Sequence, residues 1–261
     1  MTATPPIVDR KTWQEQIEAL RVREKVHTRE GDAIAAARRR LPMVEVDPAT
    51  PVIGAAGEVP LIDTFEGRSQ LFASYHMWYT GLPAADQCEG CTFNTGHALE
   101  LSYLHSRDVT FAVFCGGPYE ESSRYRDFMG WEMPWYSVPE ESLDRMAPGG
   151  HFGMKACYLR DSDRVFETYW TTGRGCEAMG NSYGMLDMTV YGRQEAWEDS
   201  PEGWPQPYVG GQGEAFREVR GEAREGRLPG RPISQWPRLA AGRSDDLGST
   251  AVSNAREEIS S

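Results

Sequence analysis

Two mainly apolar runs lie in the middle of the chain, at residues 71–79, the most continuous one, and at residues 108–114. Runs without polar alternation are typical of strands that are buried on both faces of a sheet. Between them, apolar side chains recur at helical spacing from Phe93 to Leu104, which predicts a helix. Because a strand, a helix and a second strand in this order form a crossover, we expect the two strands to be parallel.

The pattern after residue 115 predicts further elements and ends in a hairpin. We expect helices at 119–129, 139–146 and 176–191, a short strand at 132–138, and two longer strands at 152–160 and 164–171. Because only three residues link the last two strands, these strands must be antiparallel. Without the short strand at 132–138 and the short helix at 139–146, the predicted order of the core is β-α-β-α-β-β-α.

The two ends of the chain differ from this core. Residues 9–41 have a helical pattern, and Gly31 is expected to divide them into two helices. Residues 44–57 are rich in Pro, Ala and Gly and are predicted to be a connector. The C-terminal stretch is charged and then rich in Pro, Gly and Ser, which is typical of disorder. We predict an N-terminal helical extension (1–47), one core domain (48–209) and a disordered charged tail (210–261).

Composition argues against several classes of protein. The chain has 261 residues, of which 39% are hydrophobic, and its formal net charge is −12, so no overall positive field favours nucleic acid or an anionic membrane. We expect no membrane span and no signal peptide, and we predict a cytoplasmic protein. Five cysteines in a chain of this length do not make a secreted disulfide framework, and their odd number leaves at least one thiol free.

The most informative motif is Cys88-Glu89-Gly90-Cys91, which stands between the first predicted core strand and its helix. Two cysteines at the first turn of a helix can close a small disulfide, and the unpaired backbone N–H groups there stabilise the thiolate of the first cysteine. In a reducing compartment such a pair is more typical of catalysis or metal binding than of structure. We predict a redox dithiol, with Cys88 as the nucleophile and Cys91 as the resolving thiol.

A metal site is an alternative, because CxxC is also half of a tetrahedral zinc site. The sequence has neither a second CxxC nor a close pair of histidines, so the further ligands would be His97 or Cys115. Helical spacing places His97 nearly two turns beyond Cys91, about 9 Å along the axis. The redox dithiol is therefore favoured over the metal site, and inert cysteines are a third interpretation.

The order of elements, with CxxC between the first core strand and its helix, is similar to the thioredoxin fold. Several short stretches of the sequence also resemble those of an uncharacterised bacterial family described as predicted dithiol-disulfide oxidoreductases of thioredoxin-like type. The matching stretches are residues 38–42, 65–71, 75–77, 88–91, 107–110, 129–131, 134–135 and 186–189. The resemblance implies an α/β, thioredoxin-like fold with a central mixed sheet and helices on both faces. It also implies thiol chemistry at Cys88 and Cys91, without specifying a substrate.

Two features near the dithiol differ from a working thioredoxin. Redox enzymes of that fold usually place a cis-proline before the hairpin strand, facing the dithiol, and Pro148 is the only nearby candidate here, separated from the strand by two glycines. Glu89 and Asp86 place carboxylates near Cys88, which opposes ionisation of its thiol. A poorly stabilised thiolate gives a less oxidising disulfide, so we expect the pair to favour reduction of its partners.

Two other functions are compatible with this fold. In a thiol peroxidase, Cys88 would be oxidised to a sulfenic acid that Cys91 resolves, and Arg107 or Arg124 would stabilise the thiolate. A non-catalytic binding module would instead use an apolar pocket. Candidate pocket residues are Trp131, Met133, Trp135, Tyr136, Trp197 and Trp204.

The predicted dithiol needs no cofactor, and the sequence has no Walker A, G-x-S-x-G or G-x-G-x-x-G motif. Its partners would be a protein or small-molecule disulfide and a reducing partner. Cys115, Cys157 and Cys176 are predicted to be buried spectators. His76 is predicted to be an interior histidine with its hydrogen bonds satisfied.

Overall fold

An eight-stranded mixed sheet forms the centre of the protein in a computed structural model, which describes residues 3–194, 197–204, 218–219, 222–223 and 238. Its strands are β1 (Val44–Val46), β2 (Pro51–Gly54), β3 (Gly57–Pro60), β4 (Gln70–His76), β5 (Val109–Cys115), β6 (Trp135–Ser137), β7 (Lys155–Asp161) and β8 (Arg164–Thr171). Across the sheet they lie in the order β1-β8-β7-β4-β5-β6-β2-β3. The helices are α1 (Arg10–Arg38), α2 (Glu89–Gly96), α3 (Ser102–His105), α4 (Tyr119–Met129), α5 (Glu140–Met146) and α6 (Asn181–Asp187).

The central strands have the predicted topology. β4 and β5 are parallel, with Gln70 opposite Val109 at one end and His76 opposite Cys115 at the other. β7 is antiparallel to both β4 and β8, so the predicted hairpin is present. A strand, the dithiol, a helix, a parallel strand and an antiparallel hairpin form the thioredoxin-like arrangement. The predicted fold class is confirmed.

Helices cover both faces of the sheet, because successive side chains of a strand point to opposite faces. On one side Tyr75 of β4 packs in a cluster with Met146 of α5. On the other side Val113 of β5 packs in a cluster with Tyr125 of α4, whose hydroxyl also bonds to Thr92 of α2 at 2.6 Å. We call the first side the dry face, defined by Leu61, Leu71, Ala73, Tyr75, Leu143 and Met146. We call the second side the dithiol face, defined by α2, Ser74, His76, Val113, Tyr125 and Lys155.

The N-terminal helix is continuous, which corrects the predicted division at Gly31. α1 has 29 residues, and its N-cap Asp9 accepts a hydrogen bond from the Thr12 N–H at 2.8 Å. A glycine inside a helix costs only about 1 kcal/mol relative to alanine, and a helix of this length tolerates that cost. No residue of α1 is buried.

Two other predicted helices are divided in the structure. The helix after the dithiol ends at Gly96, and the separate turn α3 follows after five residues that are not helical. The predicted closing helix consists of a 3-10 helix, Gly173–Met179, and α6. They are separated by Gly180, where an added Cβ would lie 2.8 Å from the rings of both Phe93 and Tyr183. Close packing against α2 therefore requires a glycine at this position and interrupts the helix.

The flanking segments are more structured at one end than the sequence suggests. The predicted connector at 44–57 contains β1 and β2, and β1 pairs with β8 although it lies within the predicted N-terminal extension. Of the predicted tail, only the antiparallel pair β9 (Glu218–Val219) and β10 (Glu222–Ala223) and residue 238 are described. The rest of the tail lies outside the described residues. No described helix is long and apolar enough to cross a membrane.

Candidate active site

The two cysteines of the CxxC lie where the chain leaves β4 and enters α2. Cys88 is the N-cap residue of α2, and Cys91 lies in its first turn. Both thiols are free, and their Sγ atoms are 3.1 Å apart. Cys88 is partly exposed, whereas Cys91 is only 5% exposed. The structure therefore brings the predicted pair together, with one sulfur accessible and the other covered.

A buried glutamine shapes the loop that carries Cys88. The Oε1 atom of Gln87 accepts a hydrogen bond from the Tyr79 N–H at 3.0 Å, and its Nε2 donates to the carbonyl oxygens of Tyr79 and Leu82, both at 2.9 Å. These bonds satisfy backbone groups of the loop that would otherwise lack partners. Because Gln87 directly precedes Cys88, they also position the start of α2. No sequence motif points to Gln87.

Cys91 is held by the backbone that leaves β4. The Met77 N–H donates to Cys91 Sγ at 3.4 Å. The hydrogen bond with Cys88 and burial raise the pKa of Cys91 well above its ordinary value, while the charge of Lys155 and the Met77 N–H act in the opposite direction. In the reduced pair, Cys91 therefore keeps its proton at neutral pH.

Lys155 is a buried charged residue at this site that was not among the predicted site residues. It stands opposite Ser74 of β4, is only 2% exposed, and its Nζ donates to Ser74 Oγ at 2.9 Å. Burial lowers its pKa, and the charge of Lys155 interacts with three sulfurs, those of Cys91, Cys176 and Cys88. A buried ammonium group is costly unless a partner offsets its charge. In the sequence its only signal is a lysine directly before the apolar stretch from Ala156 to Leu159.

An open cavity of about 600 Å³ gives access to the dithiol. Its walls come from α2, from the segment before β7, and from the 3-10 helix after β8. They include Cys88, Cys91, His151, Gly153 and Cys176. The cavity lies within the size range of small-molecule sites. The structure thus places Cys176, which was predicted to be a spectator, on the wall of the same cavity as the dithiol.

Pro148 does not take the place of a facing cis-proline. All peptide bonds in the described part of the chain are trans, and Pro148 does not line the cavity. Gly153 lines it instead, and the Gly153 N–H donates to the Tyr75 carbonyl at 2.8 Å. Its φ of +102° is a conformation that favours glycine, and an added Cβ would lie 3.6 Å from Met77 Sδ. A glycine therefore faces the dithiol in this protein.

His76, at the end of β4, is buried among aromatic side chains of the dithiol face. Its ring centroid lies 5.3 Å from that of Trp135 and 6.1 Å from that of Tyr125. Neither ring nitrogen has a hydrogen-bond partner among the described residues, which corrects the expectation of satisfied hydrogen bonds. Burial and the charge of Lys155 lower the pKa of His76 to about 3. The imidazole is therefore neutral at neutral pH.

The structure does not bring His97 or Cys115 to the dithiol as metal ligands. Nδ1 of His97 bonds to the Phe93 carbonyl at 2.7 Å, and Nε2 bonds to Ser182 Oγ at 2.8 Å, so both ring nitrogens are engaged. Cys115 is buried at the end of β5, where burial raises its pKa to about 12. Within the described residues, no group of three His, Cys, Asp or Glu side chains is arranged to hold a metal ion.

The other candidate residues lie away from the cavity. Arg107 precedes β5, whose seven residues each rise about 3.3 Å, so it lies at the opposite end of the parallel strands from the dithiol. Neither Arg107 nor Arg124 lines the cavity. Trp131 and Trp135 are buried, and their stacked rings are 6.0 Å apart. These two tryptophans are part of the core rather than of a binding pocket.

A thioredoxin-like fold with a reduced thiol pair at the start of a helix places the protein in the class of thioredoxin-like proteins with a candidate redox dithiol. Residues 2–209 match the family described as "Bacterial protein of unknown function (DUF899)", and the chain belongs to that family. The description names no activity, so the oxidoreductase activity implied by the resemblance is a proposal. No curated protein matches the chain.

Several solved structures are similar to the chain. A thiol:disulfide interchange protein from Bacteroides sp. is 16% identical, with a TM-score of 0.38, and the match covers 60% of this chain and 96% of that one. A putative thiol:disulfide interchange protein DsbE from Chlorobium tepidum is 16% identical, with a TM-score of 0.37 and coverage of 54% and 94%. Peroxiredoxin Q from Xanthomonas campestris is 16% identical, with a TM-score of 0.34 and coverage of 53% and 94%. Identities this low concern the fold alone.

Proposed function

We propose that this protein is a thiol-disulfide oxidoreductase whose redox group is the Cys88–Cys91 dithiol. One observation carries the proposal: the two Sγ atoms lie 3.1 Å apart beside an open cavity, and one of them is partly exposed. A movement of about 1 Å converts this separation into an S–S bond of about 2.05 Å. The pair can therefore be oxidised and reduced while the surrounding fold stays in place.

Cys88 is the attacking sulfur, because it is the accessible member of the pair and lies at the N-terminus of α2. The unpaired N–H groups and the dipole of the helix stabilise a thiolate there. The thiolate attacks one sulfur of a substrate disulfide and forms a mixed disulfide with it. The other substrate sulfur leaves as a thiolate and takes up a proton.

Formation of the mixed disulfide prepares Cys91 for the second step. In the reduced pair, the hydrogen bond with Cys88 is the largest cause of the raised pKa of Cys91, and the negative charge of Cys88 adds to it. Both causes disappear once Cys88 is bonded to the substrate, whereas the charge of Lys155 stays. Cys91 then loses its proton more readily, attacks Cys88 Sγ and displaces the remaining substrate sulfur as a thiolate.

The complete reaction transfers two electrons from the dithiol to the substrate. The substrate disulfide becomes two thiols, and Cys88 and Cys91 become a disulfide. A reducing partner, either a dithiol protein or a small dithiol, restores the pair by the reverse exchange. Glu89, which also lines the cavity, carries a carboxylate directly after Cys88; such a charge disfavours a thiolate at Cys88 and supports a reducing rather than an oxidising pair.

The test is to equilibrate the full chain with defined ratios of reduced and oxidised glutathione, quench with acid, alkylate the free thiols and map them by mass spectrometry. We expect a two-electron transition that links Cys88 to Cys91, with a potential closer to about −270 mV than to about −120 mV. The Cys157→Ser variant, which removes a cysteine outside the cavity, is the matched control and should behave like the wild type. If Cys88 and Cys91 never link, the proposal is wrong.

A thiol peroxidase is the second candidate, and the position of Lys155 favours it. Cys88 would reduce a peroxide and become a sulfenic acid, and Cys91 would condense with it and release water. Lys155 supplies a cation beside the thiols that neither Arg107 nor Arg124 provides. Competition between hydrogen peroxide and a small disulfide for the reduced protein decides between the two. Faster reaction with peroxide would favour the peroxidase.

A further inference from the structure

A third cysteine, Cys176, shares the cavity of the Cys88–Cys91 pair. It lies in the 3-10 helix that follows β8 and is 5% exposed. Its Sγ lies 3.5 Å from the carbonyl oxygen of Gly153, the glycine that faces the dithiol. The Gly153 backbone is in turn close to Met77, whose N–H bonds to Cys91. Cys176 and the dithiol therefore share neighbours on the wall of one cavity.

Helix α6, which follows the segment that carries Cys176, packs against α2, the helix that carries the dithiol. The rings of Phe93 on α2 and Tyr183 on α6 lie 4.8 Å apart. The imidazole of His97, the C-cap residue of α2, bonds to Ser182 Oγ at 2.8 Å. These contacts hold α6, and with it the end of the 3-10 helix that carries Cys176, against α2.

The charge of Lys155 interacts with the sulfurs of all three cysteines. Burial raises the pKa of Cys176, and the charge of Lys155 opposes this effect, as it does at Cys91. Its charge also interacts with Cys88. A single buried cation that interacts with three thiols stabilises a thiolate on whichever of them carries one, which is the requirement for moving a disulfide among them.

We propose that Cys176 is a third redox thiol of this site, which exchanges with the Cys88–Cys91 disulfide and converts it into a Cys91–Cys176 disulfide. This inference rests on the proposed oxidoreductase function. The sulfur of Cys176 attacks Cys91 Sγ, the Cys88–Cys91 bond breaks, and Cys88 leaves as a thiolate. The proton lost by Cys176 is balanced by the one that Cys88 can take up, and no further oxidant is consumed.

Which sulfur of the Cys88–Cys91 disulfide is attacked depends on which of the two leaves more readily as a thiolate. A thiolate that is better stabilised leaves faster. Cys88 lies at a helix N-terminus and is partly exposed, whereas Cys91 is buried and loses its proton with difficulty while Cys88 is a thiolate. Attack on Cys91 therefore releases the better leaving group. The new Cys91–Cys176 disulfide lies in the protein interior, and Cys88 is again a free thiol that can react with another disulfide.

The experiment follows disulfides in the full chain after reduction, exposure to one equivalent of oxidised glutathione, acid quench, alkylation and trypsin digestion. Cys88 and Cys91 lie together in the tryptic peptide 69–107, and Cys176 lies in the peptide 175–193. Exchange with Cys176 therefore joins two peptides, whereas the Cys88–Cys91 disulfide stays within one. We expect the joined peptides in about a tenth to a half of the oxidised chains, which corresponds to disulfide potentials within about 30 mV of each other.

Three variants identify which cysteines form the disulfide between the two peptides. Cys88→Ser leaves Cys91 and Cys176, and the joined peptides should become the main oxidised product. Cys91→Ser should abolish the joined peptides and leave Cys88 bonded to glutathione. Cys157→Ser, which removes a cysteine outside the cavity, should change nothing. Circular dichroism of each variant checks that it folds.

The outcomes separate this inference from the proposed function. If Cys88 and Cys91 link but the joined peptides are absent from both the wild type and Cys88→Ser, the role of Cys176 is refuted and the oxidoreductase proposal stands. If joined peptides persist in Cys91→Ser, Cys88 is the sulfur attacked and the stated exchange is wrong. If Cys88 and Cys91 never link in the wild type, the proposed function fails, and the exchange that depends on it fails too.

Discussion

The two faces of the central sheet are built from different chemistry. The dry face is filled mainly by aliphatic and aromatic side chains, and the polar groups of its two buried tyrosines, Tyr75 and Tyr158, bond to each other at 2.6 Å. The dithiol face buries His76 and Lys155, a neutral imidazole and an amine whose pKa values are both lowered by burial. Burial of polar groups costs free energy that apolar packing does not. The dry face therefore stabilises the fold, whereas the dithiol face gives up some stability to bury polar groups beside the thiol pair.

The largest expected effect is the loss of the proposed nucleophile on the dithiol face. Cys88→Ser should lower the rate of disulfide reduction by about a thousandfold or more, because a hydroxyl does not form the attacking anion at neutral pH. The free energy of unfolding should change little. The measurement is reduction of a chromogenic disulfide alongside urea unfolding, with Cys157→Ser as the control. Retention of most of the activity in Cys88→Ser would refute the assignment.

A large-to-small substitution on the dry face should instead lower stability and leave activity unchanged. Leu61 is fully buried there, and Leu61→Ala should reduce the free energy of unfolding by about 2–5 kcal/mol. Activity per folded molecule should be unchanged, because Leu61 does not line the cavity. Urea titration and the activity of the folded fraction test both parts. A selective loss of activity would show that the two faces are coupled.

The buried imidazole makes the dithiol face sensitive to acid. The pKa of His76 is about 3 in the folded protein and about 6.5 in the unfolded chain, so between these values the unfolded state binds more protons. Stability should rise with pH across this window, and about 3 kcal/mol should be lost between pH 6.5 and pH 4. His76→Phe should remove this loss, whereas His27→Gln on the exposed helix α1 should not. The comparison needs only unfolding midpoints at several pH values.

The buried lysine should affect the second chemical step more than stability. Lys155→Met removes the charge that favours the Cys91 thiolate, and we expect resolution of the mixed disulfide to slow by about tenfold. Stability should be equal or higher, because replacing a buried ion with an apolar side chain is often favourable. Ser74→Ala removes the hydrogen bond and keeps the charge, so it should slow the step less. Accumulation of the mixed disulfide after mixing is the measurement, and equal rates in all three proteins would exclude Lys155.

The smallest expected effect is on the reduction potential. Glu89→Gln removes a carboxylate from the first turn of α2, so the Cys88 thiolate should be better stabilised and the disulfide more oxidising. A rise of about 30 mV corresponds to a tenfold change in the equilibrium constant. Glu120→Gln, on the exposed side of α4, is the control. A fall in potential in Glu89→Gln would contradict the electrostatic explanation.

Several features of the site could be predicted because they depend on residues that are close in the sequence. The CxxC spacing places Cys88 and Cys91 within reach of each other on any helix that starts there. The two-residue link between β7 and β8 allows only a hairpin. Helix boundaries were less predictable, because the division at Gly180 depends on its contact with Phe93, which lies far away in the sequence.

Hydrophobic spacing by itself determined the parallel strands, the hairpin and the position of the dithiol, since each follows from the geometry of neighbouring residues. Only the tertiary structure placed Lys155 beside the thiols, brought Cys176 to their cavity and put Gly153 rather than Pro148 opposite them. Cys91 and Cys176 are 85 positions apart in the chain. Contacts between such distant residues depend on the register and packing of whole elements, which no local pattern encodes.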